Sequence, residues 1–365
     1  MSMNAFDSLS KHLSKINLEK IQDYAKNLRY PLEASARTAL YFLPALSTQT
    51  FLGRSKDPKF KEYKNKFSLP QYLMEVKKLY EQDSENIRLQ KYLPPERMIP
   101  NLVDYASLNL KNALDLINVK ERIEKKKTQI LDDGISLDDF PPYYLQSFHY
   151  QNDGYLSADS AKLYDHQVET VFTGTAEAMR RHGIKALQEM NGYHFPTDDK
   201  LKILDIACGT GAFTYELKRH FPMSKVTGLD LSPWYLKEAK NLHPQAGIEW
   251  VFGKAEKLPF EDNSFDIVSS VFLFHELPEE IREKAAQEML RVLKKGGAIV
   301  HIDSLQKDDV PDLNSSLEIF PHLYHEPYYQ NYISQKTENL FEGLGLENPQ
   351  KDFAFYSKIV SGKKA

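Results

Sequence analysis

Cysteine is all but missing, with Cys208 the single one in 365 residues. One thiol can neither close an internal disulfide nor build a cysteine metal cluster, which suits a reducing compartment. No apolar run is long enough to span a bilayer. The most apolar early stretch, ALYFLPALSTQTFLG, is short and holds a proline. The opening segment, MSMNAFDSLSKHLSKINLEKIQDYAKNLRY, lacks an apolar signal core and carries acids, so neither a secretory leader nor a transit peptide is expected. Neither charge sign is in excess: 47 Lys and Arg against 51 Asp and Glu leave a formal net charge of −4. No global basic field therefore invites nucleic acid. Internal repeats and low-complexity tracts are absent too. A soluble, intracellular chain, placed in the cytoplasm, is what these absences leave.

What is present is ordinary in bulk, 41% hydrophobic and 27% charged, and organised in pattern. The first part reads as helices: apolar positions in YLMEVKKLYEQ and LVDYASLNLKNALDLINV recur at three- and four-residue spacing. Pro94, Pro95 and Pro100 divide them. The mixed-charge run VKERIEKKKTQIL reads as a solvated helix, and DDGISLDDFPP as a loop. SADSAKLYDHQVETVFTGTAEAMRRHGIKAL is a second helical zone, with Ser157 as N-cap and Asp159 in its first turn. From Lys200 short β-rich runs (KILDIA, KVTGLD, IEWVFG, FDIVSSVF, AIVHID) alternate with helical stretches, which indicates βαβ units and a mostly parallel sheet. The tail ENPQKDFAFYSKIVSGKK suits two closing strands. The expected division is a helical region over 1–140, an aromatic segment with a connecting helix over 141–198, and an α/β sheet domain over 199–365.

The informative run is LDIACGTGAF, residues 204–213. A strand ends at Asp205, Gly209 and Gly211 form a tight loop, and a helix follows with free N–H groups at its start. A dinucleotide fingerprint would want a third glycine where Thr214 stands. The second strand ends in GLDLS, which puts Asp230 where a carboxylate can take both hydroxyls of a ribose. Asp230 alone would also serve as a strand-end turn residue. The loop and the acid together favour a ligand site.

LDIACGTG, GLDLS, GKAEKLPFEDNSFDIVSSVFLFHEL and RVLKKGGAIVHID occur in the order and spacing of a known family. Over residues 200–305 the chain resembles the class I S-adenosylmethionine-dependent methyltransferases, in the small-molecule branch of quinone and sterol C-methyltransferases. The resemblance implies a Rossmann-like sheet with helices on both faces and S-adenosylmethionine as cofactor. It implies that Asp205, Ala207 and the Gly209–Gly211 loop surround the methionyl moiety. It also implies that Asp230 holds the ribose, Leu231 lies against the adenine, Ala255 offers its N–H to a ring nitrogen, and Val271 and Phe272 form the floor near the sulfonium. Two departures stand out. Ala207 replaces a usual glycine. Lys254 replaces a frequent aspartate and cannot accept a hydrogen bond from the adenine amino group, so either Glu256 substitutes or the contact is lost. Cys208 reads as a small buried hydrophobe.

YYLQSFHYQNDGYLS, residues 143–157, is dense in rings just before the sheet domain. The resemblance implies a segment that folds over the cofactor and encloses the substrate, with Tyr144, Tyr150, Tyr155 and Tyr164 as lid residues. Aromatic faces suit a sulfonium and flat substrates; the plainer alternative is glue between two domains. Candidate bases are His149 and His275. A second aromatic–histidine patch, FPHLYHEPYYQNY, offers His322, Tyr324 and His325 toward a substrate. No metal is expected there, because no carboxylate pattern accompanies those histidines beyond Glu326. The leading expectation is methyl transfer to a small aromatic or hydrophobic acceptor, with no nucleic-acid partner: the NPPY-type motif of some nucleic-acid methyltransferases is replaced by SSVFLFHEL. Against it stands a degenerate fold acting as an interaction or assembly factor, for which Lys254 speaks. The helical N-terminal half carries no recognised motif.

Overall fold

The computed structural model describes residues 29–52, 68–125, 140–150 and 153–365. The loop expected over 132–142 lies mostly outside these. The first described helices are α1 (Arg29–Leu52), α2 (Leu69–Arg88) and α3 (Leu102–Lys125). The irregular stretch holding Pro94, Pro95 and Pro100 separates the last two. No described helix is long and apolar enough to cross a membrane. The second helical zone is two helices, α4 (Ala158–Val171) and α5 (Ala176–Asn191). Ser157 caps α4 by accepting from the Ser160 N–H. The break falls at Gly174, whose φ of +86° no ordinary helical residue adopts.

The strands are β1 (Lys202–Ile206), β2 (Lys225–Asp230), β3 (Glu249–Phe252), β4 (Phe265–Val271), β5 (Leu293–Ser304), β6 (Leu346–Ala354) and β7 (Ser357–Lys364). They form one seven-stranded sheet in the order β3-β2-β1-β4-β5-β7-β6. All neighbours from β3 to β5 pair parallel, and β7 runs antiparallel to both β5 and β6. The tail is therefore a hairpin. Parallel neighbours need covered crossovers: α6 (Ala212–His220) follows β1, α7 (Pro233–Leu242) follows β2, and α8 (Glu279–Val292) joins β4 to β5. Three short helices, α9 (Asn314–Leu323), α10 (Tyr329–Ser334) and α11 (Thr337–Gly343), lie between β5 and β6.

Alternation along the strands splits the core into two layers. Ile203, Ile267, Val300 and Ile359 pack with α5, α6 and α2. Leu204, Val268, Ile299 and Val360 pack with α8, α10 and α11. Because β1 is flanked by β2 on one side and β4 on the other, the connections leaving β1 and β4 diverge. That opens a crevice at the C-terminal edge of the sheet.

Candidate functional site

At that crevice the chain after β1 makes three left-handed turns, at Ala207 (φ +54°), Gly209 (φ +55°) and Gly211 (φ +86°). A glycine is favoured at position 207 because the backbone there is left-handed, and alanine tolerates the strain at a cost of about 1–2 kcal/mol. Gly211 is constrained further. A Cβ on it would lie 2.4 Å from the indole of Trp250. Gly211→Ala should accordingly lose roughly 2–4 kcal/mol of stability from backbone strain plus overpacking, read as a lower urea midpoint.

Asp230 closes the loop from β2. Its Oδ2 accepts from the Gly209 N–H at 2.8 Å and its Oδ1 from the Ser232 N–H at 2.7 Å. Burial pushes its carboxyl up to about 6. Together with Ala207, Gly209, Leu231, Ala255, Val271 and Phe272 it lines a cavity of about 640 Å³, open mouth included. Tyr144, Tyr155 and Tyr164 line its other side. Tyr155 is tied down twice: its hydroxyl donates to Glu276 Oε1, and its carbonyl accepts from the Ser232 hydroxyl. The aromatic segment thus packs onto the turn that carries Asp230.

Three residues expected at this cofactor cavity are placed otherwise. Asp205 is 1% exposed, and both its oxygens are engaged, by Thr214 Oγ1 at 2.6 Å and Ser269 Oγ at 2.8 Å. It pins α6 and β4 to β1 and does not line the cavity; burial pushes it to about 6 as well. Gly211 turns away beneath Trp250. Glu256 lies behind Ala255 and does not line the cavity either. Cys208 is buried, as expected.

The cradle fits a nucleoside bearing an amino-acid tail. A Cβ on Gly209 would enter the space between the Tyr164 and Tyr235 rings, 3.9 Å from each, so the glycine leaves that space to a ligand. Glu256 Oε2 is buried without a hydrogen bond, but Glu256 stands outside the cavity lining. Asp165 was missed in the sequence. Its Oδ2 accepts from Thr210 Oγ1 at 2.7 Å while its Oδ1 is buried and without a hydrogen bond beside the glycine loop.

A second cavity, about 1500 Å³ with its open mouth, adjoins the first. The two share Tyr164, Phe272 and Glu276 as walls. The second is mainly apolar, and its walls come from widely separated segments. Tyr72 of α2 and Asn112, Leu116 and Val119 of α3 face it, as do Phe172, Phe320 and Tyr324. The helical N-terminal half, unexplained by any motif, therefore supplies one side of the larger cavity. Candidate residues divide here. His149, His275 and Tyr324 line this cavity. His325 does not: its Nε2 is 3.0 Å from Gln146 Oε1, and its backbone carbonyl accepts from the His149 N–H at 3.3 Å. The side chains of Tyr150 and His322 lie outside the described set.

His275 is held by Asp303 at the C-terminal end of β5. His275 Nδ1 is 2.5 Å from Asp303 Oδ1, while Asp303 Oδ2 accepts from the Phe274 N–H at 2.6 Å. An ionised carboxylate only accepts, so Nδ1 carries the proton, while Nε2 stands 3.8 Å from Glu276 Oε1. Burial favours the neutral ring, but the charge of Asp303 and its hydrogen bond outweigh it and raise the His275 pKa. Burial likewise opposes the Asp303 charge, yet His275 holds that carboxyl below its ordinary value. Neither Asp303 nor Glu276 was singled out from the sequence, although both sit where strands end, in AIVHID and FLFHEL.

Comparison with known proteins bears on the sheet half. Residues 203–297 match a family model described as a methyltransferase domain. A phthiotriol/phenolphthiotriol dimycocerosates methyltransferase of Mycobacterium ulcerans is 34% identical over 116 residues, 32% of this chain and 42% of that protein. A ubiquinone/menaquinone biosynthesis C-methyltransferase of Desulfotalea psychrophila is 38% identical over 103 residues, 28% of this chain and 41% of that protein. A demethylmenaquinone methyltransferase of Staphylococcus aureus is 40% identical over 107 residues, 29% of this chain and 44% of that protein. The chain thus spans less than half the length of the curated relatives it matches. The similarity falls on the strands and loops that build the crevice described above. Residues 203–297 thus form a methyltransferase domain in a class I fold, similar to those of quinone C-methyltransferases, with S-adenosylmethionine as cofactor.

Proposed function

We propose that the chain is a methyltransferase acting on a small, largely apolar acceptor, with the smaller cavity holding the cofactor and the larger one the acceptor. The observation that carries this reading is the shared wall: Tyr164, Phe272 and Glu276 border both cavities, and His275 lines the larger one. When bound, S-adenosylmethionine supplies a methyl group on a positively charged sulfur. The chain's part is to bind, orient, exclude water and receive a proton. Asp230 takes the ribose hydroxyls, Leu231 and Ala255 flank the adenine, and the Gly209 turn passes beside the amino-acid end. Tyr144, Tyr155 and Tyr164 act as the lid, with ring faces suited to a sulfonium. His275 Nε2 accepts the acceptor's proton, and Asp303 orients the ring and stabilises the charge it acquires. Quinols and phenols fit an apolar cavity with one such base, and relatives named for quinone and lipid methylation support that class.

In this reading 1–140 is the helical region whose α2 and α3 border the acceptor, 141–198 is the lid with its helix, and 199–365 is the catalytic sheet domain. A near-neutral chain with one buried thiol suits the cytoplasm and small-molecule rather than nucleic-acid partners. Lys254, which favoured an inactive scaffold, sits in a tight turn bridged to Lys257, and the cavity beside it stays open.

The test is titration of S-adenosylmethionine and S-adenosylhomocysteine into the protein, then a screen of quinols and phenols for methylation. His275→Ala should keep cofactor affinity within a factor of about two while lowering turnover by roughly 10²–10⁴-fold, the range for a lost general base. Saturable cofactor binding without methylation of any apolar acceptor would sink the proposed acceptor class. Turnover unchanged in His275→Ala would remove the base.

A further inference from the structure

His149, Glu276 and Glu326 come from three separate segments: the aromatic stretch, the turn after β4 and the connection after α9. Their ligand atoms nevertheless all lie within 4.8 Å of one another. His149 Nε2 is 3.2 Å from Glu326 Oε1 and 3.8 Å from Glu276 Oε1. The Glu326 side chain is 0% exposed, and neither of its oxygens accepts a hydrogen bond, His149 being close but not aligned. Among the described residues, histidines are the only ion-pair partners of the two glutamates, and no Lys or Arg reaches them. Tyr155 donates to Glu276 alone. A carboxylate with no donors and no exposure is costly unless something positive sits against it.

We propose that His149 Nε2, Glu276 and Glu326 bind a divalent transition-metal ion at the wall of the acceptor cavity, and that the acceptor chelates it through two adjacent oxygens. Ligands about 2.0–2.2 Å from an ion stand about 3 Å apart when adjacent and about 4.2 Å apart when opposite. The observed separations of 3.2 and 3.8 Å fall within that span. One imidazole with two carboxylates favours Mn²⁺, Fe²⁺ or Zn²⁺ over an all-oxygen ion such as Ca²⁺. All three ligands lie on the protein side. His149 and Glu276 border the larger cavity, so the remaining coordination positions open onto it. An acceptor with one oxygen would leave such a position to water; a catechol or hydroxyquinone fills two. The sequence led to no expectation of a metal, because this cluster joins positions 149, 276 and 326 and is visible only in space.

The acceptor half of the proposal rests on the larger cavity being the acceptor site; the metal half does not. The experiment keeps them apart. Mn²⁺ is titrated into the full chain without cofactor or acceptor, and the free aqua ion is followed by electron paramagnetic resonance, with Zn²⁺ as competitor. One Mn²⁺ per chain, displaced by Zn²⁺, is expected. Glu326→Gln keeps the side-chain shape and should weaken uptake by more than about 100-fold, since residues that merely orient ligands are already worth roughly 10–100-fold. His149→Ala should do the same, with S-adenosylhomocysteine affinity serving as the control for folding in both variants. No Mn²⁺ or Zn²⁺ uptake by the unaltered chain, or uptake undiminished in Glu326→Gln, overturns the metal site. With Mn²⁺ bound, a catechol should change the bound-ion spectrum and a monophenol should not; no catechol effect overturns the chelating acceptor.

Discussion

Asp230→Ala should weaken S-adenosylhomocysteine binding by about 100-fold or more, the largest effect expected of any single change at the cofactor cavity. A hydrogen bond to a charged group contributes about 1.5–3 kcal/mol, and a ribose diol offers two donors, so even the lower bound exceeds the ~2.7 kcal/mol of a 100-fold change. The carboxylate also accepts from the Gly209 and Ser232 N–H groups, so its removal loosens the loop that cradles the ligand. Asp230→Asn should lose nearly as much. An amide has only one acceptor atom, and its NH₂ would face one of those two backbone donors.

A pH dependence follows from the same carboxyl. Burial raises it to about 6 in the free chain, and donation from ligand hydroxyls favours its ionised form. Its pKa is thus lower with ligand bound than without. Affinity is complete above about pH 7, falls as pH drops through 6, and should be about tenfold weaker at pH 5, with a proton released on binding near pH 6. Calorimetric titration in buffers of different ionisation enthalpy reads both quantities. Affinity that stays flat from pH 7 to 5 would mean that Asp230 does not meet the ligand.

The cofactor side was legible in the sequence because its geometry is local. A strand, three left-handed turns and a helix occupy residues 202–220 without interruption, and the acid that faces the loop ends the very next strand. Ala207 marks how far that reading goes: its identity looked like a mild departure, while its cost appears only in the positive φ. Asp205 shows a second limit. An acid at a strand end next to a glycine loop reads as a ligand contact, but Thr214 one helical turn on and Ser269 on the neighbouring strand take both its oxygens first. The acceptor side is not local at all. Its walls run from Tyr72 to Tyr356, and no periodicity within α3 announces that Asn112, Leu116 and Val119 will face the C-terminal edge of a sheet that begins at Lys202.

Asp83→Ala should be the most destabilising substitution in the chain, by about 3–5 kcal/mol, the range for breaking one partner of a buried ion pair. Asp83 on α2 is 0% exposed and takes the Arg181 guanidinium of α5 two-pronged, Nε to Oδ1 at 3.0 Å and Nη2 to Oδ2 at 2.6 Å. Tyr92 donates to Oδ1 at 2.7 Å and Tyr30 to Oδ2. Removing the carboxylate strands a guanidinium that is itself only 2% exposed, together with two phenols. Burial alone would raise the Asp83 pKa, but the charge of Arg181 and the hydrogen bonds from Arg181, Tyr30 and Tyr92 hold it below the ordinary carboxylate value. Its contribution is therefore complete above about pH 4 and is lost only as pH falls further. Urea unfolding of Asp83→Ala, Arg181→Met and the double variant separates pairing from desolvation. The double variant should be markedly more stable than the sum of the single losses predicts, because it leaves no orphaned charge. This pair also anchors α2, whose Tyr72 borders the larger cavity, to α5 beneath the sheet. Asp83→Ala should then impair acceptor turnover more than cofactor affinity at a temperature where the chain stays folded. Equal losses in both would mean that the helical half supports the sheet domain as a whole and has no separate part in enclosing the acceptor.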